Sequence, residues 1–313
     1  MSHGQRFPSV AVIGATGNVG RLILKALQEA QPAFQSIIVL TRSAASASDI
    51  HGPNVHVRTV DYSSRDSLVT AFRGVDAVVS AIATQSVDTQ KLIIDAAVDA
   101  GSVRFFIPSE FGLANTHPLL RRDFPNIFAD KNVIQDHLEA YHRQGKLDYA
   151  LMFVGLFLDW GMDGFVLDVK NKKVALWDEG DRPVSMTTMA SIGRAVVGVL
   201  EGRLPNGQKE VRVKDINISQ KRLYELAAEV VGKDGWEVSR IDTAQAMAVA
   251  SEKLAKGTAG LDDIYAFVYR ASTAPEYGQP WAEDEDDSEK VGLRPWTEDD
   301  VKDLICDIAG LKN

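Results

Sequence analysis

The chain has 313 residues, 45% hydrophobic and 25% charged, a globular composition that excludes a disordered, collagenous or coiled-coil protein. Its 34 Lys and Arg against 43 Asp and Glu give a net charge of −9, and no basic block longer than Arg121-Arg122 or Lys172-Lys173 offers a surface to a nucleic-acid backbone. A single cysteine, Cys306, rules out a disulfide scaffold, and the longest apolar run, 150–158, falls far short of the roughly 20 residues of a membrane span.

Residues 1–9 lack the apolar core of a signal peptide, which together with the lone thiol predicts a cytoplasmic protein. Further along, β-rich apolar runs at 10–13, 37–40, 55–60, 77–82, 103–107 and 149–154 alternate with helical stretches at 22–30, 66–72, 89–100 and 127–143. Near-continuous apolar strands separated by helices predict a parallel sheet covered on both faces, an α/β doubly wound fold. After Val154 the rhythm breaks. A strand at 174–177, a helix at 189–200 and a strand at 210–213 are followed by helices that Ser219 and Thr243 would cap, and Thr297 with Asp300 spells a capping box for the last. The predicted organisation is a Rossmann domain over 1–155 and a smaller, interleaved C-terminal substrate lobe over 156–313. Segments near 186–216 are expected to return to the first domain. Residues 283–303 hold ten acids against Lys290, Arg294 and Lys302, hence −7 of the −9, and the run 283–287 reads as a solvated loop rather than a partner-binding tail.

Between the first strand and first helix lies Gly14-Ala15-Thr16-Gly17-Asn18-Val19-Gly20. Glycines there permit a tight turn, let backbone N–H groups approach a pyrophosphate and let helix pack on strand, while the helix N-terminus favours the anion. The G-x-x-G-x-x-G spacing suggests the short-chain dehydrogenase branch. Where an NAD site would carry an acid at the end of the second strand, this chain has Thr41-Arg42-Ser43. A guanidinium suits a 2′-phosphate, so NADPH/NADP+ is the expected cofactor, against the plainer alternative of a surface arginine.

None of the seven tyrosines has a lysine four residues on, so the usual Tyr-x-x-x-Lys proton relay is missing. The histidines His3, His51, His56, His117, His137 and His142 show no metal-ligand spacing, and no metal is expected. The glycine turn, Val39-Leu40-Thr41-Arg42, Gln90-Lys91-Leu92-Ile93, Ala96-Ala97, Ala100-Gly101 and above all Arg104-Phe105-Phe106-Ile107-Pro108-Ser109-Glu110-Phe111-Gly112 resemble the NmrA-like, isoflavone-reductase-like atypical short-chain dehydrogenases. The likeness is strong over 10–157, looser to about 231, and slight beyond 235.

That resemblance implies an NADPH-dependent reductase of an aromatic or conjugated small molecule, in secondary metabolism, with a catalytic lysine opening the helix after Pro-Ser-Glu-Phe-Gly. Phe128-Ala129-Asp130-Lys131 matches, so Lys131 inherits the role of general acid/base, and Ser109 joins Gly14, Thr16, Gly17, Asn18, Val19, Gly20 and Arg42 as candidate cofactor residues. On a helical wheel Lys131 lies about 50° from the centre of the stripe Ile127, Ile134, Leu138 and Tyr141, turned partly inward unless it snorkels to solvent. Two departures from the family stand out: no second basic residue follows Arg42 before Asp49, and Gln135 and Asp136 replace basic residues after Lys131. Phe157, Trp160, Met162, Phe165 and Trp177 either wall an apolar substrate pocket or pack the lobe. A monomer or homodimer is expected. A dinucleotide-sensing regulator and a natural-product cyclase or isomerase on the same fold stand as the alternatives.

Overall fold

The computed structural model describes residues 6–30, 32–82 and 86–311; His3 lies outside them. β1 (Ser9–Ile13) leads into α1 (Asn18–Glu29), β2 (Ser36–Thr41), β3 (Val55–Thr59), α2 (Arg65–Phe72), β4 (Ala77–Ser80), α3 (Val87–Asp99), β5 (Phe105–Ile107), α4 (Pro118–Asp123), α5 (Pro125–Arg143) and β6 (Asp148–Tyr149). The six strands pair in parallel in the order β3-β2-β1-β4-β5-β6. This is the doubly wound Rossmann sheet. Alternate side chains buried on opposite faces explain why the inner strands β1, β2, β4 and β5 read as apolar runs. Val10 and Val12 pack with Ile23, Leu27 and Ile192 on one face, while Ala11 and Ile13 pack with Leu68, Phe72, Ile93 and Leu138 on the other. The strand order reverses between β1 and β4, which opens a crevice at their carboxyl ends.

The second half contributes β7 (Leu151–Phe153), β8 (Leu156–Phe157), α6 (Leu158–Gly161), β9 (Lys173–Trp177), β10 (Pro183–Thr187), α7 (Met189–Leu200), β11 (Glu210–Arg212), β12 (Ile216–Ser219), α8 (Gln220–Val231), β13 (Glu237–Ile241), α9 (Thr243–Ala255), α10 (Leu261–Thr273) and α11 (Glu298–Ala309). β11 pairs in parallel with β7, and α7 brings Ile192 and Val196 to the core that α1 covers. β12, β10 and β8 form a second sheet, and β13 pairs with β9. A separate core gathers Leu156, Met162, Val174, Val184, Ile218, Leu226, Phe267 and Val301.

Three expectations need correction. The strand read at 149–154 is two, β6 and β7. Pro108 ends β5 just after Ile107, so past Ala150, whose N–H still reaches the Phe106 carbonyl at 3.1 Å, the chain turns to β11, Leu151 donating to the Lys209 carbonyl at 2.7 Å. The cap of α9 is Asp242, which accepts from the Gln245 N–H at 2.8 Å, rather than Thr243, because the helix begins one residue earlier. The acidic run is solvated only at Glu283, Asp284 and Glu285. Asp286 pairs with Lys214 at 2.6 Å, and buried Asp287 accepts from the Arg212 N–H at 3.1 Å and from Gln208 at 2.9 Å, fastening the segment to β11.

Candidate active site

The glycine turn follows from steric demands of its own. Gly14 has φ +79°, a left-handed conformation natural to glycine, and a Cβ there would lie 2.6 Å from the Ala81 carbonyl oxygen. Gly17 donates to the Gly14 carbonyl at 2.9 Å and occupies the N-cap of α1, where no side chain takes up the helix's first N–H groups. The backbone of Asn18, Val19 and Gly20 therefore opens the helix with its donors uncapped, the arrangement that suits an anion.

Beside the turn runs a groove of about 330 Å³ lined by Gly14, Thr16, Thr41, Arg42, Tyr62 and Thr89, among others. Arg42 is exposed and carries no ion pair among the described residues. Its neighbours are fixed: the Thr41 and Ser46 hydroxyls are 2.9 Å apart, and the Tyr62 hydroxyl donates to the Leu40 carbonyl at 2.9 Å. Burial pushes the Tyr62 phenol up to about 12, so it stays neutral beside the guanidinium. Uncapped helix donors, a turn closed to any Cβ and a free guanidinium at the groove's rim fit a dinucleotide phosphate chain with a 2′-phosphate.

The Pro-Ser-Glu-Phe-Gly block crosses the carboxyl end of β5. Ser109 spends its hydroxyl on the Ile82 carbonyl at 2.6 Å, and Ile82 itself lines the groove, so Ser109 supports the groove's wall rather than presenting a free donor. Gly112 accepts from the Val154 N–H at 2.9 Å and so joins the block to the end of β7. Lys131, on α5, points back into this block. Its Nζ donates to the Glu110 carbonyl oxygen, lies 3.8 Å from Glu110 Oε2, and stands 3.5 Å from where a Cβ on Gly112 would be. The lysine side chain is only 19% exposed and the Glu110 carboxylate 1%, so Lys131 is anchored inward and does not snorkel. It is not among the residues lining the Arg42 groove.

Sequence reading missed what holds Glu110. Gln135 donates to Glu110 Oε1 at 3.1 Å and to Asn115 Oδ1 at 2.7 Å, and Asn115 donates to Glu110 Oε2 at 3.3 Å. The departure at position 135 thus supplies an amide to a buried carboxylate, a role that only its i,i+4 spacing from Lys131 on α5 hinted at.

The five apolar candidates divide. Met162 is fully buried in the lobe's core, and Trp160 is 39% exposed. Phe165 and Trp177 line a cavity of about 780 Å³ with Tyr265 and Tyr269, between the β9–β13 pair and α9–α10. Ring contacts run continuously from Phe157 to Trp160 at 6.4 Å, on to Phe165 at 5.7 Å and Tyr269 at 5.3 Å, and to Trp177 at 4.5 Å. Among the described residues, no cluster of His, Cys, Asp and Glu suits a metal, and no helix is long and apolar enough to cross a membrane. His137 and His142 instead pair with Asp95 and Asp148, at 2.7 and 2.9 Å.

Comparison with known proteins agrees with this fold. The model of the NmrA-like family matches residues 8–235. The oxidoreductase aprR of Aspergillus flavus is 30% identical over 249 residues, 79% of this chain and 82% of its own. The solved structure of AtPrR2 with NADP+ and (+)-pinoresinol superposes with a TM-score of 0.74 at 19% identity, covering 96% of this chain and 99% of that one. A crystal structure of isoflavone reductase does so with a TM-score of 0.74 at 19% identity, over 95% and 98%. At such identities the two structures establish the fold. The chain belongs to the NmrA-like family.

Proposed function

We propose that this oxidoreductase reduces an aromatic or conjugated small molecule with NADPH, and that Lys131 is its general acid/base. Gly14, Thr16, Gly17, Asn18, Val19 and Gly20 would hold the pyrophosphate, Arg42 the 2′-phosphate, and Ser109 would brace the groove through Ile82. Bound NADPH supplies the hydride. Lys131 answers the charge that follows: as the substrate's oxygen becomes anionic, the inward ammonium protonates or stabilises it. Lys131 is not among the residues lining the aromatic cavity of the C-terminal lobe, where Phe165, Trp177, Tyr265 and Tyr269 stand, so the reacting atom of the substrate sits outside that cavity. On this reading residues 1–155 are the cofactor domain, and 156–313 mainly the substrate lobe, with the segment around α7 and β11 lent back to the first.

The observation that carries the proposal is the placement of Lys131 Nζ against Gly112, inside the block that ends β5, rather than in solvent. The test is NADPH absorbance during incubation with a panel of aromatic ethers, quinones and conjugated carbonyl compounds, repeated with NADH. Consumption of NADPH coupled to loss of one substrate class is the expected result. Tight NADPH binding with isomerised product and no NADPH consumed would replace the proposal by a cyclase or isomerase.

A further inference from the structure

Lys131 and Gln135 are one helical turn apart on α5, and both end on Glu110. A carboxylate that is 1% exposed must be met by donors on every side, because an unpaired buried charge is strongly unfavourable. Here the donors are the Gln135 amide on Oε1, the Asn115 amide on Oε2 and the Lys131 ammonium 3.8 Å from Oε2. Gln135 is itself clamped from outside, its Oε1 accepting from Arg121 at 2.5 Å, and it closes the ring by donating to Asn115 at 2.7 Å. Glu110 therefore has little freedom, and its main chain, which accepts from Lys131 Nζ, is drawn into a tight turn by its own N–H bond to the Pro108 carbonyl at 2.8 Å.

We propose that Gln135 is a positioning residue that acts through Glu110 to aim Lys131 Nζ, so that the glutamine at this place in α5 is part of the catalytic apparatus without touching the reactants. The inference rests on the reading of Lys131 as the acid/base. Gln135 alone bonds to both other side chains of the ring and to Arg121. Without it, Glu110 keeps Asn115 and Lys131 but loses the contact that fixes its rotation. Lys131 Nζ, held to the Glu110 main-chain carbonyl and 3.8 Å from Oε2, then loses the fixed charge beside it. Misplacement of a catalytic group by about 1 Å is enough to slow chemistry by up to about a hundredfold.

The experiment is a double-mutant cycle in the full-length protein with Gln135→Met and Lys131→Met, reading kcat, KM and NADPH affinity. Gln135→Met should lower kcat about ten- to a hundredfold with KM and NADPH affinity near the parent values. In the Lys131→Met background the same change should have no further effect on kcat, within about twofold, because there is no longer a group to aim. A purely structural glutamine would instead multiply its loss onto that of Lys131→Met or leave kcat alone while lowering the melting temperature, and either result overturns the proposal. Should Gln135→Met fail to fold, Gln135→Asn adds no charge but falls one methylene short of Glu110, and the same kcat loss is expected. Loss of activity in Lys131→Met with full activity in both Gln135 variants refutes the positioning role alone. Full activity in Lys131→Met refutes the acid/base reading beneath it.

Discussion

The place a Cβ on Gly20 would need is already taken by the Gly14 carbonyl oxygen, 2.1 Å away. The first turn of α1 lies directly on the turn that precedes it, and real Cβ contacts are not that short. Gly20→Ala must therefore push the helix off the turn. The expected cost is about 1–3 kcal/mol of stability, as for other overpacked sites, together with loss of NADPH binding. Gly17 differs: its φ is −78° and its Cβ would meet the same oxygen at 3.3 Å. Gly17→Val should thus largely keep the fold while its branched side chain blocks the approach of the pyrophosphate. Thermal melts and NADPH titration of both variants check the contrast; equal melting temperatures for the two would contradict it.

Arg42 should decide between the two nicotinamide cofactors. Its guanidinium has no carboxylate partner among the described residues, and Thr41 and Ser46 hold the strand end beneath it. A charge-assisted contact to a 2′-phosphate is worth roughly 1.5–3 kcal/mol. Arg42→Ala should weaken NADPH binding by one to two orders of magnitude and leave NADH binding nearly unchanged. Isothermal titration with both cofactors measures this directly, and equal affinities in the parent protein would refute it.

The inner strands β1, β2, β4 and β5 could be read from sequence because a strand buried on both faces is apolar at nearly every position, as Val10-Ala11-Val12-Ile13 illustrates. What escaped was structure whose partners are distant. β13 has an exposed, half-polar sequence and exists because it pairs with β9, more than sixty residues earlier. The motif points to Lys131 as a candidate, but the ring beside it joins positions 110, 115 and 135 and leaves no periodic trace. Asp286 and Asp287 misled for the opposite reason: a run of like charges reads as solvated until Lys214 and the Arg212 N–H are found beside it.

Asp215 should leave a mark on the pH dependence of stability. It is 3% exposed, accepts from the Thr188 N–H at 2.7 Å and hydroxyl at 2.9 Å, and burial pushes its carboxyl above the ordinary carboxylate value. Between the unfolded value of about 3.9 and the raised folded one, the native state holds more of the proton than the unfolded state does. Stability from this group therefore rises as pH falls through that window. Asp215→Asn removes the term. Urea midpoints at pH 7.5 and at pH 4, close to the unfolded value, should show the parent protein gaining on the variant at the lower pH. A gap that stays fixed or moves the other way would refute the assignment.

Lys131→Met separates chemistry from structure. Its ammonium faces a carboxylate that is 1% exposed, so the methionine leaves Glu110 with only the Gln135 and Asn115 amides. Breaking a buried pair from one side destabilises on the order of 3 kcal/mol, tempered here because Lys131 is 19% exposed and 3.8 Å from Oε2. The variant should melt lower than the parent, and Glu110→Gln added to it should recover part of the loss by removing the stranded charge. Turnover should behave otherwise. General acid–base catalysis is worth a factor of about 10²–10⁴, so kcat should fall by at least two orders of magnitude in Lys131→Met and should not return in the double variant. NADPH affinity should stay near normal in both, because Lys131 does not line the Arg42 groove. Melting curves, NADPH titration and single-turnover absorbance on the same three proteins supply the measurements. Recovery of turnover together with stability in the double variant would assign Lys131 to the fold alone.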